Sequence, residues 1–370
     1  MGVADLADYP WDAVAPYAAR ARAHPDGMVD LSIGSPVDAT PDIVRDALAV
    51  ATDAHAYPQT VGTPALRAAI ADWYARRRGV PGLTAAQVLP TVGSKELVAL
   101  LPLLLGVTVG DVVVHPRAAY PTYEVGARLV GATPVASDDP REWPAQTRLV
   151  WLNSPGNPDG RVRDIPSLRA AVARARALGA VIAGDECYAE LGWDDPWDVE
   201  PIPSILDPRV VGDSLAGVLS VYSLSKQSNL AGYRAAFLAG DAALVAGLLT
   251  ARKHLGLMLP APVQQAMVAA LGDDAHVAVQ KARYRRRREI LRPAVEAAGF
   301  RIDGSEAGLY LWATEGKDAW ESLGRLADLG ILAGPGHFYG AHFPQHIRLS
   351  LTAAEDRVAE AARRLRSANR

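Results

Sequence analysis

The sequence predicts an α/β fold with a mainly parallel sheet in a large domain and a smaller α+β domain after it. Short apolar runs typical of strands alternate with helical segments between residues 88 and 222, and polar residues directly follow several of these runs. Beyond residue 240 the alternation gives way to long helices and scattered short strands. Alternating strands and helices imply right-handed crossovers and a binding site beyond the carboxyl ends of the strands.

The N-terminal part of the chain predicts an arm and two helices. The predicted elements are a short helix at 11–23, a short strand at 29–33, and helices at 41–52 and 65–78. Thr40 is expected to cap the first of the two longer helices, because a hydroxyl can accept from the free N–H groups of a first turn. Thr63 and Pro64 open the second one in a similar way.

The central and C-terminal parts predict the strands of both domains. Strands are predicted at 88–92, 111–115, 148–152, 180–183 and 218–222, with helices at 97–105, 120–131 and 166–178 between them. A helix at 241–254, a long arginine-rich helix, strands at 300–302, 310–312, 331–333 and 347–351, and a closing helix at 353–366 follow. We expect the arginines of the long helix to form a solvent-facing, salt-bridged surface. The predicted domains are residues 1–36 as an arm and part of the small domain, 37–258 as the large domain and 259–370 as the small domain.

Composition and charge exclude several classes of protein. Hydrophobic residues make up 49% of the 370 and charged residues 21%, which provides a large core and excludes a disordered chain. The formal net charge of −3 gives no general attraction to nucleic acid or to a membrane surface. The apolar run at 97–109 is too short to span a bilayer and contains Pro102 and Gly106. With Cys187 as the single cysteine and no signal-peptide pattern, we expect a cytoplasmic protein.

One polar stretch, residues 223–234, follows the predicted strand at 218–222 and contains a single lysine, Lys226. A lysine placed where a strand meets a loop can form a Schiff base. The neighbouring Ser223, Ser225 and Arg234 can bind an anion such as a phosphate. Taken alone, this pattern favours an ordinary solvated loop lysine, so the other strand ends decide between the two interpretations.

Other polar residues lie just past strand ends in the same way. Gly93, Ser94 and Lys95 open the helix after the strand at 88–92, and free N–H groups at a helix start bind anions. Three further strands are followed by Tyr120, Asn157 and Asp185. Because parallel strands end at one edge of a sheet, we expect these side chains to converge with Lys226 on one site.

This set of side chains suits an aromatic aldehyde phosphate. Lys226 would form the imine and then act as general base and general acid. Asp185 would keep a pyridine nitrogen protonated, which makes the ring an electron sink. Tyr188 and Asn157 would hydrogen-bond the phenolate oxygen of the ring and lower the pKa of the imine.

The remaining side chains would hold the ring, the phosphate and a substrate. Tyr120 would stack on the ring face. The phosphate would be bound by Ser94 at its helix start, Ser223 and Arg234. Arg348, on a late strand of the small domain, would bind a substrate α-carboxylate through two hydrogen bonds. Asp185 has no partner histidine at metal-ligand spacing, so we expect no metal site.

With these residues assembled, the chain resembles the fold-type I pyridoxal-phosphate aminotransferases of class I and II. The matching motifs extend over nearly the whole chain and are Gly34-Ser35-Pro36, 57–62, Gly93-Ser94-Lys95, Tyr120, 153–160, Asp185-Glu186-Cys187-Tyr188, 223–226, Gly232-Tyr233-Arg234 and 347–350. The resemblance implies a seven-stranded sheet, pyridoxal 5'-phosphate as cofactor, amino-acid and keto-acid substrates, and substrate contacts from Gly34, Asn157 and Arg348. It also implies a homodimer with shared active sites, in which Tyr57 reaches the phosphate of the neighbouring subunit.

Within this family, the chain is most similar to the N-succinyldiaminopimelate aminotransferases of lysine and cell-wall biosynthesis. This similarity rests on the stretches at 9–12, 29–38, 57–64, 90–98 and 119–126. It implies a ping-pong transamination with glutamate as amino donor and an N-succinyl-2-amino-6-oxopimelate-type acceptor. The candidates for binding its other carboxylates are Arg117, Lys253, His254 and His337.

Three other functions share the same cofactor site. The chain could be another transaminase, of aspartate, alanine or aromatic type, or a C–S β-lyase acting on sulfur amino acids. The third is a non-catalytic sensor that binds the cofactor and regulates transcription. Only about 30 residues precede the fold, too few for a helix-turn-helix unit, and Lys226 is retained, so the sequence favours an enzyme.

Overall fold

A computed structural model describes residues 10–368 of the chain, so residues 1–9 of the predicted arm, including Tyr9, lie outside the described part. The α-helices are α1 (Ala15–Arg22), α2 (Asp42–Val50), α3 (Pro64–Arg77), α4 (Ser94–Leu104), α5 (Thr122–Leu129), α6 (Ile165–Leu178), α7 (Pro208–Val211), α8 (Ala242–His254), α9 (Ala261–Gly272), α10 (Ala275–Ala297), α11 (Ala319–Asp328) and α12 (Glu355–Ser367). The strands are β1 (Val29–Asp30), β2 (Val88–Val92), β3 (Val112–His115), β4 (Thr133–Ala136), β5 (Thr147–Asn153), β6 (Val181–Asp185), β7 (Val218–Ser223), β8 (Ala235–Gly240), β9 (Arg301–Ile302), β10 (Tyr310–Thr314), β11 (Ile331–Leu332), β12 (Gly334–Pro335) and β13 (His346–Ser350).

The large sheet has seven strands within the described residues, in the order β2-β8-β7-β6-β5-β3-β4. Strand β8 is antiparallel to both of its neighbours, and the other pairs are parallel. This arrangement confirms the predicted mainly parallel, seven-stranded sheet. Strands β5, β6 and β7 end together, because Asn153 pairs with Asp185 and Asp185 pairs with Val221.

The sequence does not predict two strands of this sheet. Strand β8 consists largely of alanine and glycine, which have little preference for strands, and it is buried along its whole length. Strand β4 contains Pro134 and is partly exposed. It lies at the edge of the sheet, where the N–H group that proline lacks is not needed. Both strands are therefore set by their neighbours in space rather than by local preference.

The starts of the first long helices agree only in part with the expected caps. Thr63 caps α3 as predicted, and its hydroxyl accepts from the N–H group of Leu66 at 3.2 Å. The prediction that Thr40 caps the preceding helix is wrong, because α2 begins at Asp42 and its N-cap residue is Pro41. Thr40 Oγ1 instead donates to the backbone oxygen of Asn229 at 3.4 Å. This contact ties the segment before α2 to the loop after Lys226.

The smaller sheet is antiparallel and has the order β12-β13-β10-β9, which agrees with the predicted α+β domain. The arm joins this domain, because β1 pairs with β11 and Val14 and Leu31 are buried in the same apolar core. Helix α9 instead buries Val263 and Met267 in the core of the large domain, beside α2 and α3. We therefore propose a domain boundary after α9, later than the predicted one after residue 258.

The arginines of α10 form ion pairs as expected, but the helix is less exposed than predicted. Arg285 pairs with Asp198, and Arg288 Nη2 lies 3.0 Å from Asp194 Oδ1. Arg287 pairs with Asp38 and is almost fully buried, so it is not part of a solvent-facing surface. Across the described chain, no helix combines the length and the apolar character needed to cross a membrane.

Candidate active site

Lys226 lies in the loop after β7, next to the arm of the chain. Its Nζ donates to the backbone oxygen of Gly34, and its own backbone oxygen accepts from the Tyr284 hydroxyl at 3.2 Å. Burial lowers the pKa of Lys226, because it disfavours the charged amine, and Arg348 nearby lowers this pKa further. A neutral amine is the form that attacks a carbonyl carbon, so these surroundings favour Schiff-base formation.

Asp185 is the last residue of β6 and is almost fully buried. Its carboxylate accepts from the Tyr123 hydroxyl at 2.8 Å and from the N–H group of Cys187 at 3.3 Å. Burial raises the pKa of Asp185, although these two donors act in the opposite direction. A buried carboxyl group in this state keeps its negative charge when a cationic N–H group pairs with it. A protonated pyridine nitrogen is such a group.

Cys187 connects the aspartate, the lysine and the start of α4. Burial raises the pKa of its thiol well above the usual range, and the carboxylate of Asp185 raises it further. The hydroxyl of Ser94 and the amine of Lys226 lower the same pKa. These effects require the three groups to lie near one sulfur atom, so the structure brings them together at one edge of the sheet.

The start of α4 and Arg234 form a cradle for an anion. Gly93 has a φ of +80°, and a Cβ atom built on it would lie 2.3 Å from Arg234 Nη2, so glycine is needed for the guanidinium to approach. Gly93 also has no side chain to cap the N–H groups that begin at Ser94. Beside Arg234, Ser223 Oγ donates to Ser225 Oγ at 2.7 Å. Backbone N–H groups, hydroxyls and a guanidinium are the donors that suit a phosphate dianion.

Arg348 faces the same site from β13 of the small domain. Its Nη1 donates to Asn157 Oδ1 at 2.9 Å, and its Nη2 donates to the backbone oxygen of Ser32 at 2.7 Å. The guanidinium carbon lies 3.9 Å from the ring centroid of Tyr310, which adds cation–π attraction. Its buried Nε has no hydrogen-bond partner within residues 10–368. The guanidinium is therefore held in place and retains a donor for a carboxylate.

Tyr310 and Tyr123 contact this cluster, although sequence reasoning does not single them out. Tyr310 Oη lies 3.2 Å from Tyr188 Oη, and a Cβ atom built on Gly34 would lie 2.1 Å from the same Tyr310 oxygen. Burial alone would raise the pKa of Tyr310, but the positive charges of Arg348 and Lys226 outweigh it and lower this pKa. The pairing of β10 with β13 indicates this position of Tyr310. Residue 312 lies opposite residue 348, and residue 310 is on the same face of the strand as residue 312.

The other predicted cofactor residues differ in their exposure. Tyr120 is half-buried, with its ring centroid 5.9 Å from that of Tyr123. Lys95 is exposed on the first turn of α4. Tyr57 is 92% exposed and is not part of the buried cluster. Its predicted contact with a neighbouring subunit agrees with this exposure and stays a prediction.

The candidates for the further carboxylates of a substrate differ in their surroundings. His337 stacks on Trp320, with the ring centroids 5.6 Å apart, and its Nε2 lies 3.4 Å from Asp318 Oδ2. The other three candidates are exposed side chains, Arg117, Lys253 and His254. Among the described residues, no group of three or more His, Cys, Asp or Glu side chains could hold a metal ion.

The comparison with known families decides the identity of this site. Residues 26–365 match the family described as aminotransferase class I and II. The chain belongs to this family. The aminotransferase is therefore dependent on pyridoxal phosphate, and the predicted family, fold type and cofactor are confirmed. The residues fit this cofactor, since a partly desolvated lysine, a buried carboxyl group and an anion cradle lie around one edge of the sheet.

Several named proteins are similar to this aminotransferase over nearly their full lengths. It is 55% identical to the 4-dedimethylamino-4-oxo-anhydrotetracycline transaminase of Streptomyces rimosus, over 98% of this chain and 99% of the relative. It is 51% identical to a probable aminotransferase of Mycobacterium tuberculosis, over 98% of this chain and 86% of the relative. It is 32% identical to an LL-diaminopimelate aminotransferase of Aquifex aeolicus, over 92% of this chain and 91% of the relative.

Solved aminotransferase structures share this fold. One from Neisseria meningitidis has a TM-score of 0.87 and 30% identity, and the match covers 99% of this chain and 98% of that one. A probable N-succinyldiaminopimelate aminotransferase from Thermus thermophilus has a TM-score of 0.86 and 28% identity, over 97% of this chain and 100% of that one. These relatives agree on the reaction class, while the substrates in their names differ.

Proposed function

We propose that this aminotransferase exchanges amino groups between glutamate and an N-succinyl-2-amino-6-oxopimelate-type keto acid, in a ping-pong cycle that forms 2-oxoglutarate. The observation that carries the proposal is the buried Arg348, whose guanidinium is fixed by Asn157 and suits the α-carboxylate of both substrates. Similarity to the probable N-succinyldiaminopimelate aminotransferase of T. thermophilus, at a TM-score of 0.86, supports the choice of acceptor.

The proposed catalytic roles follow from the positions of the side chains. Bound pyridoxal phosphate supplies a protonated ring that withdraws electrons from the substrate Cα. Asp185 would pair with the ring nitrogen, and Tyr188 and Asn157 would hydrogen-bond the ring oxygen. The Lys226 amine would hold the cofactor, and once free it would take the proton from the substrate Cα and deliver it to the former aldehyde carbon of the cofactor, two bonds away.

The remaining proposed contacts keep the reactants oriented. The phosphate is held by the first turn of α4 at Ser94, by Ser223 and by Arg234. Tyr120 packs on the ring, and Gly34 lines the substrate side, where its backbone oxygen accepts from Lys226. A fixed guanidinium and a fixed ring would hold the substrate Cα–H bond near the lysine amine, and such orientation lowers the activation barrier.

We also propose a homodimer in which Tyr57 completes the phosphate site of the neighbouring subunit. Tyr57 is 92% exposed in the single chain, and large apolar side chains on the same N-terminal segment are exposed as well, with Ile33 at 53% and Val37 at 57%. Exposed apolar groups in one region are typical of a surface that another chain covers. The exposed hydroxyl of Tyr57 would then meet a phosphate in the partner's site rather than in its own.

Replacing Tyr57 by phenylalanine is expected to raise the dissociation constant of pyridoxal phosphate about tenfold, because one hydrogen bond to a charged phosphate is lost. Fluorescence titration of the cofactor-free dimer measures this constant, and sedimentation measures the assembly. Tyr17→Phe is the matched control, since Tyr17 stacks on Trp320 in the small domain. A monomeric protein, or an unchanged dissociation constant in Tyr57→Phe, contradicts the shared site.

The relative from S. rimosus supports a second candidate acceptor, a ring ketone on a polycyclic compound. This relative is 55% identical over 98% of the chain, and its name describes a 4-oxo group on an anhydrotetracycline. Such an acceptor offers aromatic surface, and the guanidinium of Arg348 lies among the rings of Tyr310, Tyr339 and Trp11. The two candidates differ in charge, since the succinylated acceptor carries several carboxylates.

We expect the succinylated keto acid to give the highest kcat/KM of a panel of acceptors tested with glutamate. Oxaloacetate, pyruvate, an aromatic keto acid and a polycyclic ring ketone complete the panel, and 2-oxoglutarate formation is the readout. A higher kcat/KM for the ring ketone replaces the first proposal with the second. Pyruvate release from a cysteine conjugate supports a β-lyase, and cofactor binding without any turnover supports a sensor.

A further inference from the structure

Three side chains on one face of α10 contact the loop that carries Lys226. They are His276, Gln280 and Tyr284, which are spaced four residues apart and therefore lie on one side of the helix. We call these three residues the α10 stripe. Each of them bonds a different residue of the segment 226–229, so the loop is held at several points along its length.

Each residue of the α10 stripe bonds one defined atom of the loop. The Tyr284 hydroxyl donates to the backbone oxygen of Lys226 at 3.2 Å. His276 Nε2 lies 2.8 Å from Ser228 Oγ, and Gln280 Oε1 accepts from Asn229 Nδ2 at 2.9 Å. Together they fix the peptide from which the lysine side chain starts and the residues directly after it.

These contacts lie in the interior of the protein. Ser228 and Tyr284 have 0% exposure and Gln280 has 2%. A buried polar group that loses its partner is costly, so the loop cannot leave the stripe without a large penalty. Asn229 has a φ of +55°, a left-handed conformation that asparagine adopts more readily than most residues other than glycine, and its side chain bonds Gln280 from there.

The arrangement at Ser228 contains the residue types of a hydrolase triad, because His276 Nδ1 lies 2.8 Å from Asp273 Oδ2. The complete burial of Ser228 leaves its hydroxyl without access for a substrate in the described structure. Asp273 instead orients the imidazole toward the loop. Asp273, His276 and Ser228 therefore hold the loop in position, and Ser228 does not act as a nucleophile.

The other end of α10 belongs to the small domain. The helix has 23 residues and is roughly 34 Å long. Its later residues Leu291, Ala294 and Val295 are buried in the core of the small domain. The same domain carries Arg348 on β13, so one continuous helix connects the lysine loop with the domain that would bind the substrate carboxylate.

We propose that the α10 stripe is a positioning device that sets the direction of the Lys226 amine relative to the cofactor and to the small domain. The inference rests on the proposed role of Lys226 as the lysine that holds the cofactor. The stripe touches the loop backbone and neighbouring side chains, so its residues act through Lys226 and do not contact the reacting atoms. Removing one of its bonds lets the lysine peptide rotate, and the amine then spends less time in the reactive direction.

Tyr284→Phe tests the device with the smallest change, since it removes one oxygen atom. We expect the visible absorbance band to form about tenfold more slowly when pyridoxal phosphate is added to the cofactor-free protein, and kcat to fall about tenfold. The KM for glutamate should stay within about twofold, because the substrate contacts are untouched. The pH midpoint of the visible band should shift as well, since this band reports on the lysine nitrogen.

Tyr74→Phe is the matched control for this experiment. Tyr74 is also fully buried, and its hydroxyl donates at 2.8 Å to Ser220 Oγ on β7, so it bonds no residue of the segment 226–229. We expect a similar loss of stability in the control, with an unchanged rate of band formation and an unchanged pH midpoint. Gln280→Met, which removes the bond to Asn229, should slow band formation in the same direction as Tyr284→Phe.

Two results separate a failure of this inference from a failure of the proposed function. If Lys226→Ala keeps the visible band, Lys226 does not hold the cofactor, and the role that the proposed function gives to Lys226 is wrong. If the band depends on Lys226 but Tyr284→Phe and Gln280→Met both match wild-type band formation, pH midpoint and kcat, the stripe has no positioning role. Equal changes in Tyr284→Phe and Tyr74→Phe also overturn the inference, since they indicate a general structural effect.

Discussion

Replacing Lys226 by alanine is expected to remove the visible absorbance of the purified enzyme and to lower the rate of transamination at least about 10⁴-fold. General acid–base catalysis by a positioned side chain alone contributes about 10²–10⁴-fold. The covalent attachment through the same nitrogen is lost as well. The combined loss of rate is therefore expected to reach or exceed the upper end of this range. Absorbance spectra and glutamate-dependent turnover measure the two losses separately.

The chemistry of the linkage gives a second readout that does not depend on turnover. Borohydride reduces a Schiff base and leaves the cofactor attached, so mass spectrometry should find it on the peptide that contains Lys226. Lys317→Ala is the matched control, because Lys317 lies 3.8 Å from Glu315 in the small domain and outside the site. A labelled peptide elsewhere in the chain, or turnover retained in Lys226→Ala, would show that another residue holds the cofactor.

The parts of the site that sequence reasoning located are those set by local chain geometry. Lys226, Asp185 and Asn157 all follow an apolar strand, and a parallel sheet brings such positions to one edge. The helix start at Ser94 was found in the same way, from a glycine after a strand. Each of these predictions needed only the identity of a strand and the polar residues at or just past its end.

The parts that sequence reasoning did not locate depend on contacts between distant segments. Tyr123 reaches Asp185 from α5, and Tyr310 reaches Tyr188 from the other domain. Tyr284 meets Lys226 only because α10 packs across the lysine loop. No local pattern marks these tyrosines, since an aromatic residue on a helix or strand is usually part of the core. Strand β8 was missed for the same reason, because its place in the sheet depends on its pairing with β2 and β7.

The site contains two ionisable groups, Lys226 and Asp185, whose charged forms are disfavoured by burial. Burial lowers the pKa of Lys226 and raises the pKa of Asp185, so both charged forms are less stable than in water. A protein of this size tolerates such costs because its cores elsewhere are apolar and well packed. The expected consequence is that removing the charge at residue 185 harms catalysis and helps the cofactor-free fold.

Replacing Asp185 by asparagine is expected to lower kcat on the order of a thousandfold, which corresponds to about 4 kcal/mol of activation free energy. An amide has nearly the shape of the carboxylate and can still accept from Tyr123, so cofactor should remain bound. It cannot stabilise a protonated ring nitrogen, and the ring then withdraws electrons weakly from the substrate Cα. Single-turnover kinetics with glutamate measures the loss at the chemical step, and cofactor content measured after dialysis checks retention.

The same substitution has an expected effect of opposite sign on the cofactor-free protein. The folded-state pKa of Asp185 lies above its usual value of 3.8, so the unprotonated group costs stability. The contribution of Asp185 to the free energy of unfolding of the wild-type protein is fully present below about pH 4. It is lost as the pH rises through the raised pKa of the folded state. Urea unfolding of the cofactor-free Asp185→Asn protein should therefore show an advantage over wild type that grows as the pH rises above about 4 and becomes constant above the raised pKa.

A matched control separates this effect from a general consequence of an aspartate-to-asparagine change. Asp207 is 3% exposed and accepts from the N–H group of Arg209 at the start of α7, outside the site. Asp207→Asn should leave kcat near the wild-type value and should not reproduce the pH-dependent stability gain. A wild-type kcat in Asp185→Asn would exclude the pairing with the ring nitrogen. A stability difference that does not vary with pH would instead mean that Asp185 is not desolvated in the folded chain, and the two outcomes can be read independently.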